Sequence, residues 1–435
     1  MEGASSASFG KLKPGPGLTP DAVFADQDRR LREALFELVA DRGYDGVTLR
    51  GVSKLAGVST HSFYRHFTNL DEFFLEVSRS TMLGALRRMA SVSTARPDRQ
   101  EGLREGVRSL MRDLASQPAA ARLALVDAPA ANPQIRSQMQ GATRTFEQLF
   151  ADLLLTSPRR GQVSRRLVMG IVAGTIRVAR TTTMAGRADE LPGLADEVTE
   201  WALALSHEEV AGLLAASRPE LAPHRQRESF PFPDHRRPNA SPSTGDERER
   251  VLRAVIKLAA SNGLKGLSIR RIRTEAGVSR RSFDTYFGSV VDAFLESIEW
   301  LVTKAATKAD QWAAAAASEE ERIHRLILAL CAQAARNSAL ADMALTGILE
   351  AGREGLLRRD RLLTLAAGQL NGGTGLVDAD AGLAAEASAA AVWDIANAEV
   401  AAGRVQRLPQ MAPLLTYVAL APVRGPMAAA EASLG

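Results

Sequence analysis

The chain holds one cysteine, Cys331, so no intrachain disulfide can form, and a reducing compartment fits best. Cys331 lies in the apolar stretch Leu326 to Ala335 and reads as a small core residue rather than a nucleophile. Aromatic residues make up only 5%, too few for a large β-sandwich or an aromatic-lined groove for sugars or single strands. No apolar run approaches the roughly 18 residues of a membrane span. Met1 to Gly17 is rich in Gly, Ser and Pro, lacks the apolar core of a signal peptide, and reads as a disordered tail. A cytoplasmic location without a membrane partner is therefore expected, which makes the sequon Asn239-Ala240-Ser241 accidental. Ser-His-Asp sets, paired loop carboxylates, Gly-rich phosphate loops and ligand-spaced Cys/His clusters are all missing, so neither catalytic residues nor a cofactor or metal is expected. His61 and His66 are five apart and do not share a helix face suited to a metal. The excess of one sign of charge over the other is small as well. A net charge of +4 does not by itself imply nucleic acid, so the distribution of charge must decide.

What is present is apolar residues at 46%, with abundant Ala and Leu, which points to well-filled helical cores. A length of 435 residues implies two to four domains. The chain repeats itself. RGYDGVTLRGVSKLAGVSTHSFYRHFTNLDEFFLE, from Arg42 to Glu76, aligns without gaps with NGLKGLSIRRIRTEAGVSRRSFDTYFGSVVDAFLE, from Asn262 to Glu296. Gly43, Gly57, Val58, Ser59, Ser62, Phe63, Phe67, Phe74 and Leu75 recur at a constant offset of 220. Farther on, Gly186-Arg187 and Leu191-Pro192 recur as Gly403-Arg404 and Leu408-Pro409 at an offset of 217. A whole unit of roughly 200 residues is thus duplicated. Between the copies, Ser217 to Gly245 carries six prolines and reads as a semi-extended linker.

Each copy opens with an amphipathic helix, marked by Leu31, Leu35, Leu38 and Val39 in the first and Val251, Val255, Leu258 and Ala259 in the second. Thr244 and Glu247 resemble a capping box, and Gly43 and Gly263 suit a left-handed C-cap. A short helix follows, capped by Thr48 or Ser268 and ending at Ala56 or Ala276. Gly57-Val58-Ser59 and Gly277-Val278-Ser279 then supply a tight turn, a core plug and an N-cap. The next helix is expected over about Ser59 to Phe67 and Ser279 to Phe287, with a fourth starting at Asn69 or Ser289. This is a helix-turn-helix, whose second helix enters the major groove of DNA. Leu49 to His66 has three basic residues and no acid; Ile269 to Tyr286 has five basic residues and two acids, Glu275 and Asp284. Each stretch is +3, so positive charge is concentrated where phosphates would lie.

Over about 50 residues in each half, these motifs resemble the DNA-binding domain of tetracycline-repressor-like (TetR) regulators. The resemblance implies an all-α chain of two tandem TetR-like units, each an N-terminal helix-turn-helix domain followed by a helical effector-binding and dimerisation domain. The corresponding divisions are a tail at 1–25, a helix-turn-helix at 26–80, a helical domain at 81–216, a linker at 217–245, a second helix-turn-helix at 246–300, a second helical domain at 301–422 and a tail at 423–435. Carried onto this chain, the DNA-binding positions are Thr48, Arg50, Ser59, Thr60, His61, Ser62, Tyr64, Arg65 and His66. In the second copy they are Ser268, Arg270, Arg271, Ser279, Arg280, Arg281, Ser282, Thr285 and Tyr286. Thr60, His61 and Arg65, like Arg280, Arg281 and Thr285, match base-reading positions. Two departures stand out. The lysine common at the start of the fourth helix is Leu70 or Val290 here, and the usual tyrosine, Tyr64, is Asp284 in the second copy.

The resemblance further implies a double-stranded DNA operator and a small-molecule effector of unknown identity as partners. Pocket positions would include Phe146, Met169, Arg177 and Met184 in the first half and Met343, Trp393 and Asn397 in the second. Since relatives pair as homodimers and mostly repress, the expectation is a repressor whose two halves pair within one chain. A further homodimer of chains is the other arrangement. The competing reading is an interaction protein in which the second head, or both, no longer binds DNA, with Asp284 and the two absent lysines as its support.

Overall fold

The computed structural model describes residues 19–131, 133–154, 162–205, 246–371 and 382–434. Every regular element among them is a helix, with no strand, as the Ala- and Leu-rich composition implied. The chain forms two compact units, Met1–Leu153 with Val178–Asp196, and Leu154–Arg177 with Glu197–Gly435. Compaction therefore does not follow the two sequence halves.

The first unit contains α1 (Pro20–Arg42), α2 (Leu49–Ala56), α3 (Thr60–Phe63), α4 (Leu70–Thr94) and α5 (Arg99–Ser116). Short helices α6 (Pro118–Arg122) and α7 (Ala128–Ala130) flank a π-helical turn at Leu123–Asp127, and α8 (Pro133–Leu154) follows. Pro118 and Pro133 stand at the first positions of their helices, where a missing N–H costs nothing. Two helices are divided between the units: α9 (Gln162–Met184) at Arg177 and α10 (Leu191–Leu205) at Asp196.

Helix α1 begins ahead of the expected boundary at residue 26. Thr19 Oγ1 accepts from Ala22 N at 3.2 Å and Pro20 fixes the first helical φ, so the start is capped within what the sequence suggested as tail. Leu31, Leu35 and Val39 are sealed from solvent on one face of α1 and join Phe63, Phe73 and Phe74 in a single core. The Phe63 and Phe73 rings meet edge-on at 5.5 Å, and Phe67 lies 4.5 Å from Phe73.

The second unit contains α11 (Asp246–Asn262), α12 (Ile269–Ala276), α13 (Arg280–Tyr286), α14 (Val290–Ala313), α15 (Glu319–Arg336), α16 (Ser338–Leu345), α17 (Gly352–Leu370), α18 (Leu383–Ala401), α19 (Leu408–Arg424) and α20 (Pro426–Leu434). Its core repeats the first, with Val251, Val255, Phe283, Phe287 and Phe294 buried together. Helix α20 occupies what the sequence suggested as a tail; Gly425 turns the chain at φ 90°, and Ala429, Ala430 and Ser433 are buried. The linker at 217–245, the Thr244 cap and the Asn239 sequon lie outside the described residues.

Within this unit, residues 162–177 of α9 and 197–205 of α10 pack on α18 and α19 through small residues. A Cβ on Gly170 would stand 3.0 Å from Ile395 Cδ1. One on Gly174 would stand 2.2 Å from Trp201 Cη2 and 2.8 Å from the Ala387 carbonyl oxygen, so only glycine admits this approach. Trp201 Nε1 donates to Ser388 Oγ at 3.0 Å, and Tyr417 Oη donates to the Ala204 carbonyl at 3.1 Å. Arg166 Nη2 donates to Glu399 Oε1 at 2.8 Å. These close, satisfied contacts bind segments before residue 206 to helices after residue 382.

Candidate nucleic-acid interface

The two helix-turn-helix copies are built by the same local devices. Thr48 Oγ1 accepts from Gly51 N at 3.1 Å, and Ser268 Oγ accepts from Arg271 N at 3.3 Å, capping α2 and α12. Gly57 and Gly277 adopt left-handed conformations, at φ 59°, ψ 35° and φ 64°, ψ 41°. Ser59 Oγ accepts from Ser62 N at 3.0 Å, and Ser279 Oγ accepts from Ser282 N at 3.0 Å, starting α3 and α13. Asn69 and Ser289 cap α4 and α14. Gly43 and Gly263 have positive φ but extended ψ, so they turn the chain out of the helix rather than forming the expected left-handed cap. Helix α3 closes at Phe63, shorter than expected, while α13 runs to Tyr286.

Phe63 and Phe283 anchor α3 and α13 from below, and the opposite faces are open. Arg50, Thr60, His61, Tyr64 and Arg65 are exposed, as are Arg270, Arg271, Arg280, Arg281 and Thr285. Thr48, Ser59, Ser268 and Ser279 are exposed caps, whereas Ser62 and Ser282 are half-buried and bonded to the cap hydroxyls. Two expected contact residues are partly turned inward. The His66 ring stacks on Phe24 at 3.7 Å with Nε2 3.3 Å from Gln27 Oε1, and burial holds its pKa below the ordinary value. A neutral, packed imidazole braces α1 rather than presenting a cation. Tyr286 is half-buried against the second core.

Both acids of the second copy are partnered. Arg280 Nε donates to Asp284 at 3.0 and 2.7 Å across one helical turn, and Glu275 pairs with Lys257. Arg271 donates to the Gly266 carbonyl, which ties one basic residue to the backbone. Leu70 and Val290, where lysine was expected, pack against the two cores instead. Sequence reading missed Arg30. Only 4% exposed, it donates to Asp26 and to the Ala56 and Gly57 carbonyls, stapling α1 to the turn. Its recurrence as Arg250 at the offset of 220 was the available signal.

An open, basic reading face on a capped helix-turn-helix is what duplex DNA requires. Residues 31–77 match the family of bacterial regulatory proteins, tetR family. That match to the tetR family covers the first copy of the motif. Solved structures similar to this chain include the fatty acid degradation regulator FadR of Bacillus halodurans, at 18% identity over 44% of this chain and 97% of that one, with a TM-score of 0.37. The transcriptional regulator FadR of Bacillus subtilis, solved with stearoyl-CoA, matches at 18% identity over 41% and 99%, TM-score 0.37. A TetR-family regulator from Mesorhizobium loti matches at 23% identity over 42% and 97%, TM-score 0.33. No helix among the described residues is long and apolar enough to cross a membrane.

The second unit also holds a cavity of about 520 Å³ among α14, α15, α16, α17, α18 and α19. Trp393, expected in a pocket, lines it. Met343 is buried in the core, and Asn397 accepts from Thr346 at 3.1 Å; neither lines this cavity. Arg177 is 1% exposed and pairs with Asp360 and Glu386 rather than lining this wall. Phe146 packs edge-on against Phe150 in the first unit, and Met169 and Met184 are half-buried. Cys331 is buried, as expected from sequence, and also lines the cavity; burial pushes its thiol up to about 12 and keeps it un-ionised.

Proposed function

We propose that this chain is a sequence-specific DNA-binding transcriptional regulator of the cytoplasm, a repressor released by a small-molecule effector, with both reading heads in one chain. The observation that carries this reading is the recurrence of one construction at the offset of 220. The same caps, left-handed glycines and buried phenylalanines set α3 and α13 with open outer faces, beside exposed Arg50 and Arg65 in the first copy and Arg270, Arg280 and Arg281 in the second. The pairing of Glu275 and Asp284 with local cations favours two working heads, because neither carboxylate stands as an unneutralised charge beside phosphate. Joining of 162–177 and 197–205 to α18 and α19 supports an intrachain pseudo-dimer, since these are the segments through which two separate chains would pair. The 520 Å³ cavity, of a size that takes drug-like molecules, supports an effector site in the second half.

Selection of bound sequences from a random duplex pool with the intact chain tests the proposal. Enrichment of one operator, with affinity falling steeply as salt rises, is expected. Two half-sites roughly one helical turn, about 34–36 Å, or a multiple of it apart would fit two heads. Failure to enrich any sequence sinks the regulator. Enrichment of a single half-site that is unaffected by Arg281→Ala leaves the alternative, in which the second copy is an interaction module.

A further inference from the structure

The cavity in the second unit has walls that specify the chemistry of its occupant. They are apolar over most of their extent, formed by residues such as Leu326, Leu330, Leu363, Leu415 and Trp393. Among the described residues, no lysine, arginine or histidine lines it, and the single charged lining residue is an acid, Asp310. Asp310 accepts from Arg322 at 2.7 Å, and that guanidinium is also held by Glu319 at 2.6 Å and faces Gln369 Oε1 at 3.5 Å. The cation nearest in this network is thus consumed by two carboxylates before it could meet a ligand. Gln333, on α15, lines the same cavity, and its buried Oε1 accepts no hydrogen bond from the protein. A buried acceptor without a donor is costly, and a ligand that supplies one recovers that cost on binding.

Resting on the reading of this chain as an effector-responsive regulator, we infer that the cavity takes a neutral, lipophilic molecule bearing one hydrogen-bond donor, an alcohol or phenol, which donates to Gln333 Oε1. It rejects anions. A carboxylate or phosphate placed here would lose its water with no cation to receive it and would face Asp310. The apolar walls supply affinity without direction, and Gln333 supplies orientation.

The intact chain is titrated with Nile red, a neutral apolar dye, and the bound dye is displaced by three probes sharing one tail: 1-dodecanol, its methyl ether and dodecanoate. The alcohol should displace dye at about tenfold lower concentration than the ether, which accepts but cannot donate, the value of one hydrogen bond. Dodecanoate at neutral pH should need on the order of a hundredfold more than the alcohol. Gln333→Leu and Gln333→Met should each bring the alcohol to the level of the ether while leaving the ether unchanged. Neither creates an unpaired polar group, so folding is retained. Ala366→Phe, which fills the cavity, should abolish dye binding. Equal displacement by alcohol and ether, indifference to both Gln333 variants, dye binding that survives Ala366→Phe, or dodecanoate matching the alcohol would each overturn the assignment. Release from the selected operator is read separately. Dodecanoate that binds and releases DNA would overturn the ligand class and keep the regulator; dodecanol that binds as expected without changing operator affinity keeps the ligand class and removes the effector reading.

Discussion

Arg177 and Asp360, 183 positions apart in the chain, lie side by side, with Nη1 3.1 Å from Oδ1 and side chains only 1% and 9% exposed. Arg177 Nη2 also donates to Thr364 Oγ1 at 2.9 Å and to the Asp360 carbonyl at 3.2 Å, and it lies 3.3 Å from Glu386 Oε2. One arginine of the first sequence half thus neutralises two acids of the second. At the offsets of 217 and 220, Asp360 corresponds to Thr143 or Gln140 in the first half, so a pairing of two first halves would lack this ion pair.

Arg177→Met is therefore expected to destabilise the second unit by about 1.5–3 kcal/mol, because it removes one of the two arginines, Arg177 and Arg359, that pair with buried Asp360. The measurement is a urea titration followed by far-ultraviolet circular dichroism. A midpoint within error of the parent would show that the pair contributes nothing.

Gly174→Val tests the small-residue approach of α9 to α10 and α18. The new side chain would collide with Trp201 and the Ala387 carbonyl, and the expected loss is about 1–3 kcal/mol, or more if the backbone cannot give. Gly193→Ala, where an added Cβ meets nothing within 4 Å, is the control and should leave the thermal midpoint nearly unchanged.

Glu399 gives a pH-dependent prediction. Burial alone would push its pKa up, but hydrogen bonds from Arg404 and Arg166 outweigh this and hold it below the ordinary 4.5. A folded-state pKa depressed in this way contributes stability above the unfolded value, and that contribution is lost as pH falls through the folded one. Glu399→Gln should cost about 1.5–3 kcal/mol at neutral pH. The gap from the parent should close as pH drops below 4.5, read from thermal midpoints across an acid series. A gap that stays constant with pH would show that the charge of Glu399 is not what stabilises.

The reading helices should select unlike half-sites. Thr60, His61 and Arg65 differ chemically from Arg280, Arg281 and Thr285, and arginine pairs bidentately with guanine O6 and N7. Arg281→Ala should relax preference for guanine at one position of one half-site, costing about 1–3 kcal/mol there. A perfect palindrome emerging from selection would contradict this.

The sequence by itself determined the local construction. Helical class, the duplication, the Thr48 and Ser268 caps, the left-handed Gly57 and Gly277 and the burial of Phe63 and Phe283 all follow from spacing and backbone chemistry within a few residues. Such features depend on neighbours along the chain, so their signals stand together in the text of the sequence. Tertiary structure alone decided what distant segments meet. It turned His66 against Phe24, gave Arg30 the carbonyls of the turn and put Cys331 on a cavity wall. It also placed Arg177, which the sequence suggested as pocket lining, among Asp360 and Glu386. The reason is geometric. A helical side chain turns by about 100° per residue, so its neighbour across a helix pair depends on register, crossing and the small residues that let backbones approach, none of which is written in local periodicity.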